Sequence, residues 1–178
     1  ALLKPGDEMI VLTPEYPMIL KVAKLHPVTC LQVPLMESNQ NGCLHYSINI
    51  QAISQAITTK TRLILFSNPH NPTGTLFCKQ DLLQLASLCL KHNMLIVADE
   101  IWSDIILEPF EFHHVGALST EISNNTISLV SPTKTYNLAG LTGGMIVCSN
   151  DKIRQRIEQY CLVHLPVQAY VAFAKLYQ

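Results

Sequence analysis

The chain has 178 residues, of which 48% are apolar and only 14% charged, and its formal net charge is −1. That length supports one domain with a real core, or a large part of a bigger protein, and so even a charge balance gives no general field for nucleic acid or anionic lipid. No apolar run reaches the roughly eighteen residues of a membrane-spanning helix, so no membrane association is expected.

The six cysteines are scattered with no C-x-x-C pair. Several lie inside apolar runs, which implies free thiols in a reducing, cytoplasmic compartment rather than a disulfide framework or a zinc site. No signal peptide is visible, and because the chain opens on Ala1 the native N-terminus is expected to lie upstream.

In chain order, residues 9–13 (MIVLT) form a short β-prone run, and 15–25 carries helical spacing. Residues 30–35 read as a second strand and 39–42 (NQNG) as a surface loop. A helix over 49–58 sets Ile50, Ile53 and Ile57 on one face. The apolar strand RLILFS at 62–67 precedes an amphipathic helix over 79–92 built on Leu82, Leu83, Leu85, Ala86 and Leu90. MLIVA (94–98), TISLV (126–130) and MIVC (145–148) complete the strands, and 151–163 reads as a further helix. EPFEFHH at 108–114 is a surface loop; its paired His113 and His114 have no carboxylate or thiol at ligand spacing, so no metal site is expected. No internal repeat, low-complexity segment or linker interrupts the pattern. Continuous apolar strands separated by amphipathic helices imply an α/β fold, a mostly parallel sheet sandwiched by helices. Ligands in such sheets bind beyond the carboxyl ends of the strands.

Three strand ends carry chemistry. RLILFS is followed by NPHNPTG (68–74), whose two Asn-Pro steps and glycine force turns. Taken alone this is either an elaborate turn or a device that aims the Asn71 amide over the sheet edge. MLIVA is followed by DEIWSD (99–104), where Asp99 is a helix cap, a surface residue, or a carboxylate held to pair with a cation. TISLV is followed by SPTKT (131–135), which offers the hydroxyls of Ser131, Thr133 and Thr135 beside Lys134. A lysine there either snorkels to solvent or serves as an amine nucleophile able to form an imine. Together these are the parts that pyridoxal phosphate needs: a lysine for the Schiff base, a carboxylate for the ring nitrogen, and hydroxyls for the phosphate.

In NPHNPTG, VADEIWSD and SPTKTYNLAGL, in that order and spacing, the sequence resembles the fold-type I, class I/II aminotransferase-like superfamily of pyridoxal phosphate enzymes. KPGDEMIVLTPEYPMI is similar to that family's earlier strand and ring-stacking segment. The resemblance implies the three-layer α/β/α large domain, with residues 1–178 as its central part and an N-terminal segment and C-terminal small domain outside it. It assigns Lys134 to the covalent cofactor link, Asp99 to the pyridine nitrogen and Asn71 to the ring hydroxyl oxygen. Tyr16 matches the stacking aromatic, and Ser131, with Thr133 beside it, the phosphate contact.

Within the superfamily, SPTKTYNLAGLTGG and DEIWSD look most like the cystathionine β-lyase (C–S lyase) branch. Many aminotransferases of this superfamily have a phosphate-binding arginine where this chain has Thr142, and a tyrosine where it has Trp102. The resemblance therefore implies β-elimination from cystathionine or a cysteine conjugate by a cytoplasmic homodimer. Transamination is the alternative, and a non-catalytic or regulatory protein of the same fold is a further one.

Overall fold

In the computed structural model, which describes residues 1–160 and 166–176, strands and helices alternate along the chain. The elements are β1 (Glu8–Thr13), α1 (Pro17–Lys24), β2 (Thr29–Pro34), β3 (Met36–Gln40), β4 (Cys43–Ser47), α2 (Ile50–Ala56), β5 (Thr61–Ser67) and α3 (Lys79–Lys91). They continue with β6 (Leu95–Asp99), α4 (Thr120–Asn124), β7 (Thr126–Val130), α5 (Pro132–Thr135), β8 (Met145–Val147), α6 (Asp151–Glu158) and α7 (Val167–Leu176). Six strands form one sheet in the order β2-β1-β5-β6-β7-β8. All pairings in it are parallel except that of β7 with the edge strand β8.

The near-continuous apolar strands are explained by burial on both faces. Ile10, Leu12, Ile64, Phe66, Ile96 and Ala98 point to one side, where α2, α3 and α4 close over them through Ile53, Leu82, Leu85, Ala86 and Ile122. Their neighbours Met9, Val11, Leu63, Val97 and Ile127 point to the other, against α1 and α6. Period-two alternation thus feeds two apolar layers from each strand. Each fully buried large side chain, such as Phe66, Phe77 or Leu85, contributes about 1.5–3 kcal/mol. The α1/α6 side is covered less completely: a cavity of about 350 Å³ lies between Leu63, Leu65 and Val97 of the sheet and Leu2, Leu3 and Ile157.

Four details depart from the sequence reading. The NQNG segment is no plain loop: Asn39 and Gln40 end β3, which pairs antiparallel with β4 as a hairpin. Asn41 (φ 55°) and Gly42 (φ 84°) make the turn, a conformation that asparagine and glycine tolerate. Helix α1 begins at Pro17 rather than at residue 15, with the fixed φ of proline at its start. SPTKT is a single helical turn, α5, in which the Ser131 side chain caps the Thr133 amide and Pro132 takes the first position. A further helix, α7, follows α6; the expected helix over 151–163 is seen as far as Glu158, and its last three residues lie outside the described residues. The five described cysteines are free thiols, and Cys161 lies outside the described residues. No described helix is long and apolar enough to cross a membrane.

Candidate active site

Strands β1, β5, β6 and β7 are adjacent and parallel, so their carboxyl ends form one row. The chain leaves that row in turn with Tyr16 beyond β1, Asn71 beyond β5, Asp99 and Trp102 at and beyond β6, and Ser131, Thr133 and Lys134 beyond β7. The sheet order reverses between β1 and β5, since β1 leads outward to β2 on its other side. A crevice is expected at such a switch point. Backbone hydrogen bonds continue past the strand ends and bind the row together: Asn68 N donates to Asp99 O at 2.9 Å and Glu100 N to Leu129 O at 2.8 Å.

Asp99 is half-buried at the end of β6, paired in register with Ser67 on one side and Leu129 on the other. Burial pushes its carboxyl above the usual carboxylate range; the Ile101 amide, 3.3 Å from Oδ1, opposes that, the neighbouring Glu100 charge adds to it, and Lys134 opposes it again. Lys134 is half-buried on α5 with its Nζ 5.7 Å from the centre of the Trp102 ring. That distance is within cation–π range. Thr135 Oγ1, next along α5, donates to Asp104 Oδ2 at 3.0 Å and ties the lysine turn to the loop after Asp99.

Asn71 sits in a loop with many internal bonds. Its amide donates to Ser67 Oγ at 3.1 Å, Gly74 N donates to His70 O at 2.8 Å, and His70 N donates to Thr75 O at 2.7 Å. Asn71 and Trp102 face each other across a cleft of about 270 Å³. Tyr16 is 47% exposed, an open aromatic beside the row. Ser131 Oγ donates to Gly143 O at 2.7 Å and lies 2.8 Å from Thr133 Oγ1, so the Thr133 hydroxyl is the donor within that pair. Both hydroxyls therefore hold internal bonds, and a phosphate arriving there would have to displace them. Thr142 is exposed and brings no positive charge; Arg62 pairs with Asp7 and Arg154 with Asp151, both away from the row.

Two carboxylates beside the row were not singled out from sequence. Glu100 is fully buried; it accepts from Val115 N at 2.8 Å and meets His114 Nδ1 at 2.9 Å, which fastens the loop carrying His113 and His114. Glu15, in PEYP, has a fully buried side chain spanning the β1–β5 crevice to Ser67. The signal was present: an acidic residue directly beyond a buried strand, the same reasoning that singles out Asp99. Among the described residues no group of three or more His, Cys, Asp or Glu side chains gathers as a metal site would require.

A family model described as aminotransferase class I and II matches residues 1–174. The cystathionine β-lyase PatB of Bacillus subtilis is 31% identical over 83% of this chain and 37% of its own length. The glutamate-pyruvate aminotransferase AlaA of Escherichia coli is 32% identical over 85% of this chain and 36% of its own. The crystal structure of cystalysin from Treponema denticola, which contains a pyridoxal 5'-phosphate cofactor, superposes with a TM-score of 0.89 at 27% identity, covering 96% of this chain and 44% of that one. The chain thus spans less than half the length of each of these proteins.

Proposed function

The chain belongs to the class I and II aminotransferase family, and we propose that it is the central part of a pyridoxal phosphate-binding large domain whose full-length enzyme is a carbon–sulfur β-lyase. The substrate would be cystathionine or a cysteine conjugate, the products pyruvate, ammonia and a thiol, and the working form a cytoplasmic homodimer. The observation that carries the reading is the alignment of Asn71, Asp99 and Lys134 at or just beyond the ends of three neighbouring strands.

The donor set fits the cofactor chemically. Asp99 is a partly desolvated carboxylate with one backbone donor among the described residues, and its raised pKa is what a nearby ring N–H⁺ would reverse. Bound there, pyridoxal phosphate would supply an aldehyde for the substrate amine and an electron sink for the pair left when Cα loses its proton. Asp99 would keep the proton on the ring nitrogen, Asn71 would donate to the ring oxygen, and Tyr16 would cover one face of the ring. Ser131 and Thr133 would turn their hydroxyls to the phosphate. Lys134 would hold the cofactor through Nζ and, once released, take the proton from the substrate Cα. The Trp102 face, 5.7 Å from Nζ, would stabilise the ammonium so formed.

Trp102 in place of a phenol and the uncharged Thr142 favour the lyase reading, as does the likeness to PatB and cystalysin. The comparable identity to AlaA, 32% against 31% for PatB, favours transamination as the second reading. The test uses the full-length enzyme with cystathionine and no keto acid. Release of pyruvate and thiol is expected; a strict requirement for a keto-acid acceptor would make it an aminotransferase. Cofactor binding without turnover in either assay would make it a non-catalytic relative.

A further inference from the structure

We propose that Glu15 is a positioning residue that sets the spacing between Tyr16 and Asn71, and hence the width of the slot in which the cofactor ring lies. The inference rests on the pyridoxal phosphate reading above. Glu15 Oε1 accepts from the Tyr16 amide at 2.8 Å and from Ser67 Oγ at 2.9 Å, and Oε2 accepts from the Ser67 amide at 3.1 Å. Ser67 Oγ in turn accepts from the Asn71 amide at 3.1 Å. One carboxylate therefore joins the residue beyond β1 to the loop beyond β5 through three donors and a single hydroxyl relay.

The placement suits this role. The bonds cross the β1–β5 crevice, the switch point of the sheet. The Glu15 and His70 side chains are both 0% exposed, so water competes for neither. Bonds to an ionised acceptor are shorter and stronger than neutral ones, and two oxygens fix an orientation that a single hydroxyl could not. His70 lies on the far side: its Nδ1 is 2.9 Å from Thr73 Oγ1, and its Nε2, with no hydrogen-bond partner among the described residues, stands 3.8 Å from Glu15 Oε2. That separation is too long for a hydrogen bond, so the donors on the carboxylate are those of Tyr16 and Ser67.

The experiment compares wild-type, E15Q and S67A full-length enzymes. E15Q keeps the shape but must point an amide N–H₂ at a donor; S67A keeps the carboxylate and removes the relay to Asn71. Three quantities are measured: hydrogen exchange at the Tyr16 and Asn71 amides in cofactor-free protein, the Kd for pyridoxal phosphate, and the pH midpoint of the visible absorption of the bound form. Expected are at least tenfold faster exchange at Asn71 in both variants, at least tenfold weaker cofactor binding, and a displaced pH midpoint. S67A should retain the wild-type thermal midpoint, which separates positioning from general stability. Wild-type exchange, affinity and pH midpoint in S67A would overturn the proposal, as would their retention in a folded E15Q; if E15Q does not fold, S67A alone decides. Should the wild-type enzyme bind no cofactor, the reading beneath falls, and Asn71 exchange in the variants still decides whether the tie exists.

Discussion

The row of strand ends has two halves built in opposite ways. At the β1–β5 crevice the Glu15 and Ser67 side chains are buried and satisfied by one another and by their neighbours: Glu15 holds Ser67 and the Tyr16 amide, and Ser67 holds the Asn71 amide. At β6–β7 the groups are half-buried and thinly tied. Asp99 has one amide donor at 3.3 Å, Lys134 lies over an indole face, and the bond from Thr135 to Asp104 is exposed. The first half is a frame and the second presents reactive groups. Internal hydrogen bonds that fix a group also occupy it, and the side chains of Asp99 and Lys134 are left more lightly occupied than those of Glu15 and Ser67.

If that division is right, substitutions in the reactive half change chemistry more than stability, whereas substitutions in the frame act on how the cofactor is placed and, at His70, on the acid limb of stability. The largest expected effect is Lys134→Ala, with turnover falling about 10²–10⁴-fold as a proton-transfer group is lost and the thermal midpoint little changed. Asp99→Ala should come next, slowing Cα-proton exchange by at least about tenfold, or about 1.4 kcal/mol, and weakening cofactor binding by less. Equal losses in both would mean that Asp99 is a binding group only.

The frame has its own signature. Burial pushes the His70 ring down from 6.5 to about 4, so between those values the unfolded chain binds more protons than the folded one. Stability from this group is full above the unfolded value and falls as pH drops toward 4, by up to about 3 kcal/mol. Glu15 and Asp99, with raised pKa values, act in the opposite sense and destabilise as pH rises above their ordinary range. An NMR titration of His70 with a midpoint near 4, and a flatter acid limb in His70→Gln, would bear this out; a midpoint near 6.5 would show that the frame is open to water.

Smaller effects follow for the exposed ties. Trp102→Phe should cost about 0.5–1 kcal/mol of the Lys134 interaction and lower turnover a few-fold. Thr135→Val should cost no more than about 1 kcal/mol, read as a small shift in the thermal midpoint.

Much of this was legible in the sequence because parallel sheets write their strands as apolar runs and their sites as the residues that follow. RLILFS, MLIVA and TISLV each end next to a residue proposed for the site: Asn71, Asp99 and Lys134. The β3–β4 hairpin was hidden because β3 is exposed along its whole length and β4 is buried only in part at its end, so no apolar alternation marks it, although the Asn41-Gly42 turn signal was there. The helical turn under Lys134 was foreshadowed by Ser131-Pro132, a cap followed by a first-position proline. Glu15 was missed because its partner is Ser67, far along the chain, and a bond across a crevice leaves no local pattern.

The central claim, that Lys134 is the amine which holds the cofactor, is tested most directly by reducing full-length protein with borohydride in the presence of pyridoxal phosphate and mapping the modified peptide. The cofactor should be fixed on Lys134 and lost in Lys134→Ala. Fixation on another lysine, or equal labelling of the variant, would contradict it.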